Sequence, residues 1–193
     1  MKVLVACEFS GRVRDAFRKR GHYAVSCDEL PTESTKAYHV IGDVLDFLDS
    51  GWDLMIAHPP CTRLCNSGVR WLKELNLWED LYFAISFFNL LQDAPIPKIA
   101  IENPIPHKYA VNGVGARSKG IGKYDQIIQP WQFGHGETKA TCLWLKGLPK
   151  LKPTNIVDGR EARIHKMSPS KNRGRLRSLT FQGIADAMAE QWG

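Results

Sequence analysis

The sequence has no run of roughly eighteen apolar residues, so nothing in it reads as a membrane-spanning helix. Nor does it open on a signal-peptide pattern, because Met1 leads straight into the strand-like Lys-Val-Leu-Val-Ala of residues 2–6. Cysteine is sparse: the 5 present (Cys7, Cys27, Cys61, Cys65 and Cys142) are an odd number in a chain without a secretory signal, so free thiols are expected rather than a disulfide framework. Internal repeats and low-complexity tracts are missing as well. So are the spaced glycines of the dinucleotide fingerprint, since Arg12, Val13 and Arg14 follow Gly11; a pyrophosphate-binding loop is therefore not expected. These absences point to a soluble protein of the cytoplasm, and 193 residues with 44% hydrophobic content suffice for one compact domain over residues 1–193.

What is present begins with charge. The formal net charge is +6, which suits a polyanionic partner. Residues 160–177 concentrate it, with Arg160, Arg163, Lys166, Lys171, Arg173, Arg175 and Arg177 broken by Pro169 and Gly174. This stretch reads as loop, either a solvated cationic face or a set of phosphate contacts. The first half alternates strand-like runs (2–6, 23–26, 54–57) with a helical pattern at 12–20, the rhythm of a parallel α/β sheet. Apolar residues recur at helical spacing over 72–92, ended by Pro95 and Pro97 before a strand at 98–101. Residues 126–133 and 141–145 read as extended, and 182–192 as an amphipathic helix. Four glycines and two cations in residues 112–122 read as a mobile surface loop able to close over a ligand.

Chemistry-bearing residues gather at strand ends. Phe9, Ser10 and Gly11 follow the first strand, where a small residue lets backbone approach a ligand. Asp28 follows the second, at the distance where a carboxylate accepts from both hydroxyls of a ribose, and Asp43 is placed to accept from an adenine amino group; each is equally readable as a cap or turn residue. His58-Pro59-Pro60-Cys61 follows the third. Prolines cannot continue the sheet, so a stiff loop presents the Cys61 thiol at its edge. A free thiol has a pKa of about 8.5 and needs a neighbouring cation or helix amino terminus to react as thiolate, and Arg63 is a candidate. A structural cysteine and a metal site of His58, Cys61 and Cys65 are the competing readings, the second lacking a fourth ligand. Glu102, in Ile101-Glu102-Asn103-Pro104, ends another apolar strand, where burial would raise its pKa enough to hold a proton near neutrality.

Taken in order and spacing, Phe9-Ser10-Gly11, Asp28, Gly42-Asp43, Pro59-Pro60-Cys61 and Glu102-Asn103-Pro104 resemble the motifs of the DNA cytosine carbon-5 methyltransferases. Residues 134–145 look like that family's base-proximal strand, and Gly183 to Met188 like its carboxyl-terminal helix. The resemblance implies a Rossmann-like, doubly wound and mostly parallel sheet. It implies S-adenosylmethionine near Phe9, Ser10, Gly11, Asp28, Asp43 and Pro59, and a flipped cytosine facing Cys61 and Glu102. Three departures accompany it. The first loop is short and carries arginines; Lys139 stands where the family has a forked arginine; and a basic region at about 147–178 replaces a target-recognition domain. That region carries Arg163, Lys171, Arg173, Arg175 and Arg177 as candidate DNA contacts. So small a reader leaves double-stranded DNA, single-stranded DNA or a pyrimidine nucleotide as substrate, and its compactness suits a phage or mobile element. Two other functions fit the same residues: cysteine-dependent transfer of a different group, and a catalytically silent nucleic-acid-binding module.

Overall fold

The computed structural model describes residues 1–115 and 118–193. Along the chain run β1 (Lys2–Ala6), α1 (Arg12–Lys19), β2 (Tyr23–Asp28), β3 (His39–Ile41), β4 (Leu54–Ala57), α2 (Val69–Glu74), α3 (Trp78–Gln92), β5 (Lys98–Pro104), α4 (Lys108–Asn112), β6 (Gln126–Ile128), β7 (Thr141–Lys146), α5 (Arg163–Lys166), α6 (Arg173–Ser178) and α7 (Gln182–Trp192). The strands form one sheet in the order β3-β2-β1-β4-β5-β7-β6. Pairings among β1 to β5 are parallel, and β7 runs antiparallel to both β5 and β6. This is the parallel α/β arrangement expected from the β-α-β rhythm, in the doubly wound, mostly parallel form that the family resemblance implied.

Alternation along each strand explains the layers. Leu4 and Ala6, Met55 and Ala57, Ile99 and Ile101, and Cys142 and Trp144 join one core, roofed by Leu72 of α2 and by Leu81, Ile85, Phe88 and Leu91 of α3. Val3 and Val5, Leu54 and Ile56, Ala100 and Leu143 join the other, roofed by Val13 and Phe17 of α1 and by Ile184, Met188 and Trp192 of α7. Each fully buried aliphatic or aromatic side chain contributes about 1.5–3 kcal/mol. Phe88 and Trp144 add an edge-to-face contact at 5.0 Å.

Four sequence expectations need correction. The helical pattern of 72–92 is two helices, because Asn76 takes a left-handed conformation (φ 50°) and breaks the register between α2 and α3. Residues 126–133 are extended only to Ile128, after which Pro130 starts a 3₁₀ turn. The basic stretch contains two short helices, α5 and α6, where loop was expected. The edge strand β3 was not foreseen at all, since its three residues are too few for an alternation to register. In 112–122, Ala116 and Arg117 lie outside the described residues; beside them, Ile121 is buried and bonded to the Ala110 carbonyl, and Gly122 to that of Val111.

Candidate active site

Register decides which side chains meet. The last parallel pairs are Ala6 with Cys27, Ala6 with Ala57, and Ala57 with Ile101. One residue further on come Asp28, Cys7, His58 and Glu102, a row across the carboxyl ends of β2, β1, β4 and β5. Amide bonds carry the ladder into that row: Glu8 N–H donates to Cys27 O (3.3 Å) and His58 N–H to Ala6 O (2.9 Å). Because β1 lies between β2 and β4, the strand order reverses there, and the crevice at such a switch point is where open α/β sheets bind ligands.

Two clefts straddle the row. The smaller, of about 90 Å³, is lined by Cys61, Glu102, Lys139, His58, Glu8, Ser10, Pro59 and Arg177, among others. The larger, of about 430 Å³, is lined by Asp28, Asp43, Glu29, Cys27, Pro60, Phe87 and neighbours. Cys7, Phe9, His58 and Ser178 line both, so the two spaces share a wall. The residues singled out for a nucleophile, a proton-carrying carboxyl and a cation (Cys61, Glu102, Lys139) thus line one space. Phe9, Asp28 and Asp43 line the other. Ser10 and Pro59 sit on the smaller cleft, and Pro60 is the proline on the larger one. Gly11 lines neither: at φ 74° it starts α1, and a Cβ there would stand 2.7 Å from the Arg14 guanidinium.

The amino end of α1 is already filled. Glu8 accepts from the N–H groups of Val13 (2.7 Å) and Arg14 (3.2 Å) and from the Ser10 hydroxyl (3.2 Å), replacing the side-chain cap that Gly11 cannot supply. A carboxylate there bars a phosphate from that helix end, in agreement with the missing glycine fingerprint. The arginines of this short loop are structural. Arg14 is fully buried on Asp15 and Ser26, and Arg12 donates to Thr180 O at 2.7 Å, tying α1 to the segment after α6. In the larger cleft the cap reading and the ligand reading coexist. Asp28 Oδ1 accepts from Leu30 N–H and Asp43 Oδ1 from Leu45 N–H, both at 2.9 Å, while both residues line the space.

Around Cys61 the loop is knit to the segment after β5. Leu64 and Cys65 N–H groups donate to Cys61 O, Asn66 N–H to Ile105 O, and His107 N–H to Leu64 O. Arg63 is not the cation of this thiol: its Nε turns outward to Asp80 (3.1 Å), and the cation beside Cys61 is Lys139. Cys61 instead donates to Cys65, which raises Cys61 above the ordinary thiol range, burial adding to this. Cys65, taking that bond and others from Ser67 and the Gly68 amide, is held down at about 5. Of the two, Cys65 is thus the thiol drawn toward its charged form, and the sequence offered it only as a metal ligand. Among the described residues, no cluster of His, Cys, Asp and Glu converges as a ligand set.

Glu102 also departs from expectation. Burial acts to raise it, but the contact and charge of His58, with Lys139 behind, prevail and hold the carboxyl below its ordinary range. His58 Nδ1 lies 3.2 Å from Glu102 Oε2. For His58, burial acts downward and Glu102 and Glu8 upward, and the carboxylates win, so the imidazole is raised. Both shifts favour the charged forms, carboxylate at Glu102 and imidazolium at His58, the opposite direction to the one expected for Glu102. Of the expected nucleic-acid contacts, Arg163 bonds Glu137 and lies 3.5 Å from Glu161, and Arg175 lies 2.6 Å from Glu33; these carboxylates neutralise both. Arg177 faces the smaller cleft, Arg173 is half-buried, and Lys171 is exposed.

No protein-family model matches the chain, and no curated protein matches it. Among solved structures, the chain is similar to a DNA modification methyltransferase encoded within an Escherichia coli prophage (TM-score 0.52, 16% identity, covering 81% of this chain and 52% of that one). It is also similar to a methyltransferase of Entamoeba histolytica (TM-score 0.52, 14% identity, 89% of this chain and 61% of that one). The chain thus spans roughly half to three-fifths of those proteins, and has the fold these methyltransferases share. No helix among the described residues is long and apolar enough to cross a membrane.

Proposed function

We propose that the chain is a single methyltransferase unit acting on carbon 5 of cytosine in DNA, with Cys61 as nucleophile and S-adenosylmethionine as cofactor. The observation that carries this is the shared wall: a cleft lined by a thiol, a carboxylate and an ammonium abuts a larger one lined by three carboxylates and two phenyl rings. The larger cleft fits a nucleoside without phosphates, since Glu8 occupies the amino end of α1 beside it. Asp28 would accept from ribose hydroxyls through the oxygen that Leu30 leaves open, and Asp43 from the adenine amino group, with Phe9 and Phe87 against the ring. When bound, the cofactor supplies an electrophilic methyl group on a sulfonium.

Carbon 5 of cytosine is a poor nucleophile until a thiolate adds to carbon 6 and the ring becomes an enamine. Transfer of the shared proton to Cys65 leaves the negative charge on Cys61 for that addition. A proton delivered to ring nitrogen 3 at Glu102 takes up the displaced electron pair, and Lys139 stabilises charge on the exocyclic oxygen as a point cation. The basic region at 147–178, together with the likeness to a prophage enzyme that modifies DNA, favours DNA over a free nucleotide. The test is incubation of wild type and Cys61→Ala with labelled S-adenosylmethionine and single- or double-stranded DNA, followed by nucleoside mass analysis. Labelled 5-methylcytosine from wild type alone is expected; labelled product from Cys61→Ala, or none from wild type, refutes the reading.

A further inference from the structure

Resting on that carbon-5 reading, we propose that His58 and Glu102 form one proton-holding pair, in which His58 keeps inside the cleft the proton that Glu102 passes to nitrogen 3 of the target pyrimidine. Glu102, which His58 and Lys139 bias toward the carboxylate, needs a source for the proton that the cytosine takes as Cys61 adds. His58 stands next to Glu102 because β4 and β5 are in register up to Ala57 and Ile101. Its Nδ1 is 3.2 Å from Glu102 Oε2. His58 Nε2 and Glu102 Oε2 are both closed to solvent without an aligned hydrogen bond, although both residues line the cleft that holds Cys61. A ring presented to Glu102 would meet an acceptor whose geometry is not yet satisfied.

The charges around His58 favour its protonated form. Glu102 faces it from β5, Glu8, whose carboxyl burial itself raises, from the loop after β1, and Lys139 from the approach to β7; the two carboxyl groups outweigh the one ammonium. The Cys7 and Cys61 thiols and Arg177 complete the titratable and charged groups of the cleft. As the bond from Cys61 sulfur to carbon 6 forms, the carbon 5–carbon 6 π pair becomes the carbon 4–carbon 5 bond, and the carbon 4–nitrogen 3 π pair takes up the proton that His58 Nδ1–H hands on through Glu102, leaving His58 neutral and Glu102 a carboxylate. Once carbon 5 carries the methyl group, its hydrogen leaves to water. That electron pair rebuilds the carbon 5–carbon 6 double bond, the bond to Cys61 breaks with its pair returning to sulfur, and the nitrogen 3 proton returns through Glu102 to His58. His58 is thus a positioning residue for the proton, acting through Glu102.

The experiment follows the imidazole nitrogens of ¹⁵N-histidine-labelled wild type and Glu102→Gln by NMR across pH, the His58 signal being assigned by its loss in His58→Asn. It is paired with single-turnover methylation by the same proteins. His58 should be charged at neutral pH in wild type and neutral in Glu102→Gln. His58→Asn should slow the chemical step by roughly ten- to a hundredfold, the low end of general-acid effects, and should abolish the alkaline limb of the pH–rate profile. A neutral His58 in an active wild-type enzyme, or a charge indifferent to Glu102→Gln, overturns the pair and leaves the carbon-5 reading standing. A charged, Glu102-dependent His58 in a wild type that makes no 5-methylcytosine supports the pair and removes that reading instead. If His58→Asn does not fold, the His58 imidazole is assigned by through-bond connectivity to its backbone in ¹³C,¹⁵N-labelled wild type, and both measurements on wild type and Glu102→Gln then decide the matter.

Discussion

Replacing Asp28 with asparagine perturbs the larger cleft with the least collateral change. In the native protein Oδ1 is engaged by Leu30 N–H at 2.9 Å, which leaves one carboxylate oxygen for a ligand. The asparagine carbonyl can keep the Leu30 bond, so the loop after β2 should hold its course while the charge-assisted bond to a ribose is lost. One such bond is worth about 1.5–3 kcal/mol, and about 1.4 kcal/mol is tenfold in affinity. Asp28→Asn should therefore weaken S-adenosylmethionine binding by roughly ten- to a hundredfold. Asp28→Ala should weaken it further, since the Leu30 amide also loses its acceptor. Isothermal titration with the cofactor measures both, and circular dichroism checks that the sheet persists. Wild-type affinity in Asp28→Ala would refute the assignment of this cleft to the cofactor.

Other consequences are equally open to measurement. Glu8→Ala leaves two buried N–H groups of α1 without acceptors, so it should cost about 2–4 kcal/mol and lower Tm in a thermal melt; an unchanged Tm would remove its capping role. The His58–Glu102 pair makes stability pH-dependent in a defined sense. The raised His58 contributes fully below its unfolded value and loses that contribution as pH climbs through the raised one, whereas the lowered Glu102 contributes above its unfolded value and loses it as pH falls through the lowered one. The stability difference between wild type and Glu102→Gln, from urea unfolding at a series of pH values, should peak between the ordinary carboxylate and imidazole ranges; a flat difference contradicts the pairing. Ultraviolet thiolate absorbance should show one thiolate at neutral pH in wild type, lost in Cys65→Ala. Arg177→Ala should weaken DNA binding and reduce the salt slope by about one, while Arg163→Ala, already neutralised by Glu137 and Glu161, should leave that slope unchanged.

Much of the frame was legible because its signals are strong. β1 and β4 are unbroken apolar runs bounded by polar residues, and the prolines at 59 and 60 leave the chain no way to continue the sheet past His58. What was not legible depends on pairing. His58 and Glu102 are 44 residues apart, and only the β4–β5 register makes them neighbours; without a partner, burial alone argues for a raised glutamate and gives the wrong sign. The arginines at 163 and 175 read as free cations because Glu137, Glu161 and Glu33 are brought to them by tertiary structure. Asn76 is the opposite case: the left-handed conformation that splits the helix is a local preference of asparagine, visible in the residue type but outweighed by the apolar period around it.

The row Asp28, Cys7, His58, Glu102 explains why so short a chain can carry two adjoining binding spaces. The parallel pairings of β2, β1, β4 and β5 stop at the same level, so each strand contributes one side chain to a line, and the switch at β1 opens a crevice on both sides of that line. The acidic end of the line suits hydroxyl and amino donors, and its His58–Glu102 end, facing Cys61, suits a ring that must gain and lose a proton. Phe9 and Cys7, at the middle, wall both spaces. The segment above the line offers Arg177 and Ser178 at the mouth, while Arg163 and Arg175 are tied down in ion pairs. Under the proposed carbon-5 reading, the smaller cleft itself would select a ring with a protonatable nitrogen opposite Glu102 and an electrophilic carbon opposite Cys61.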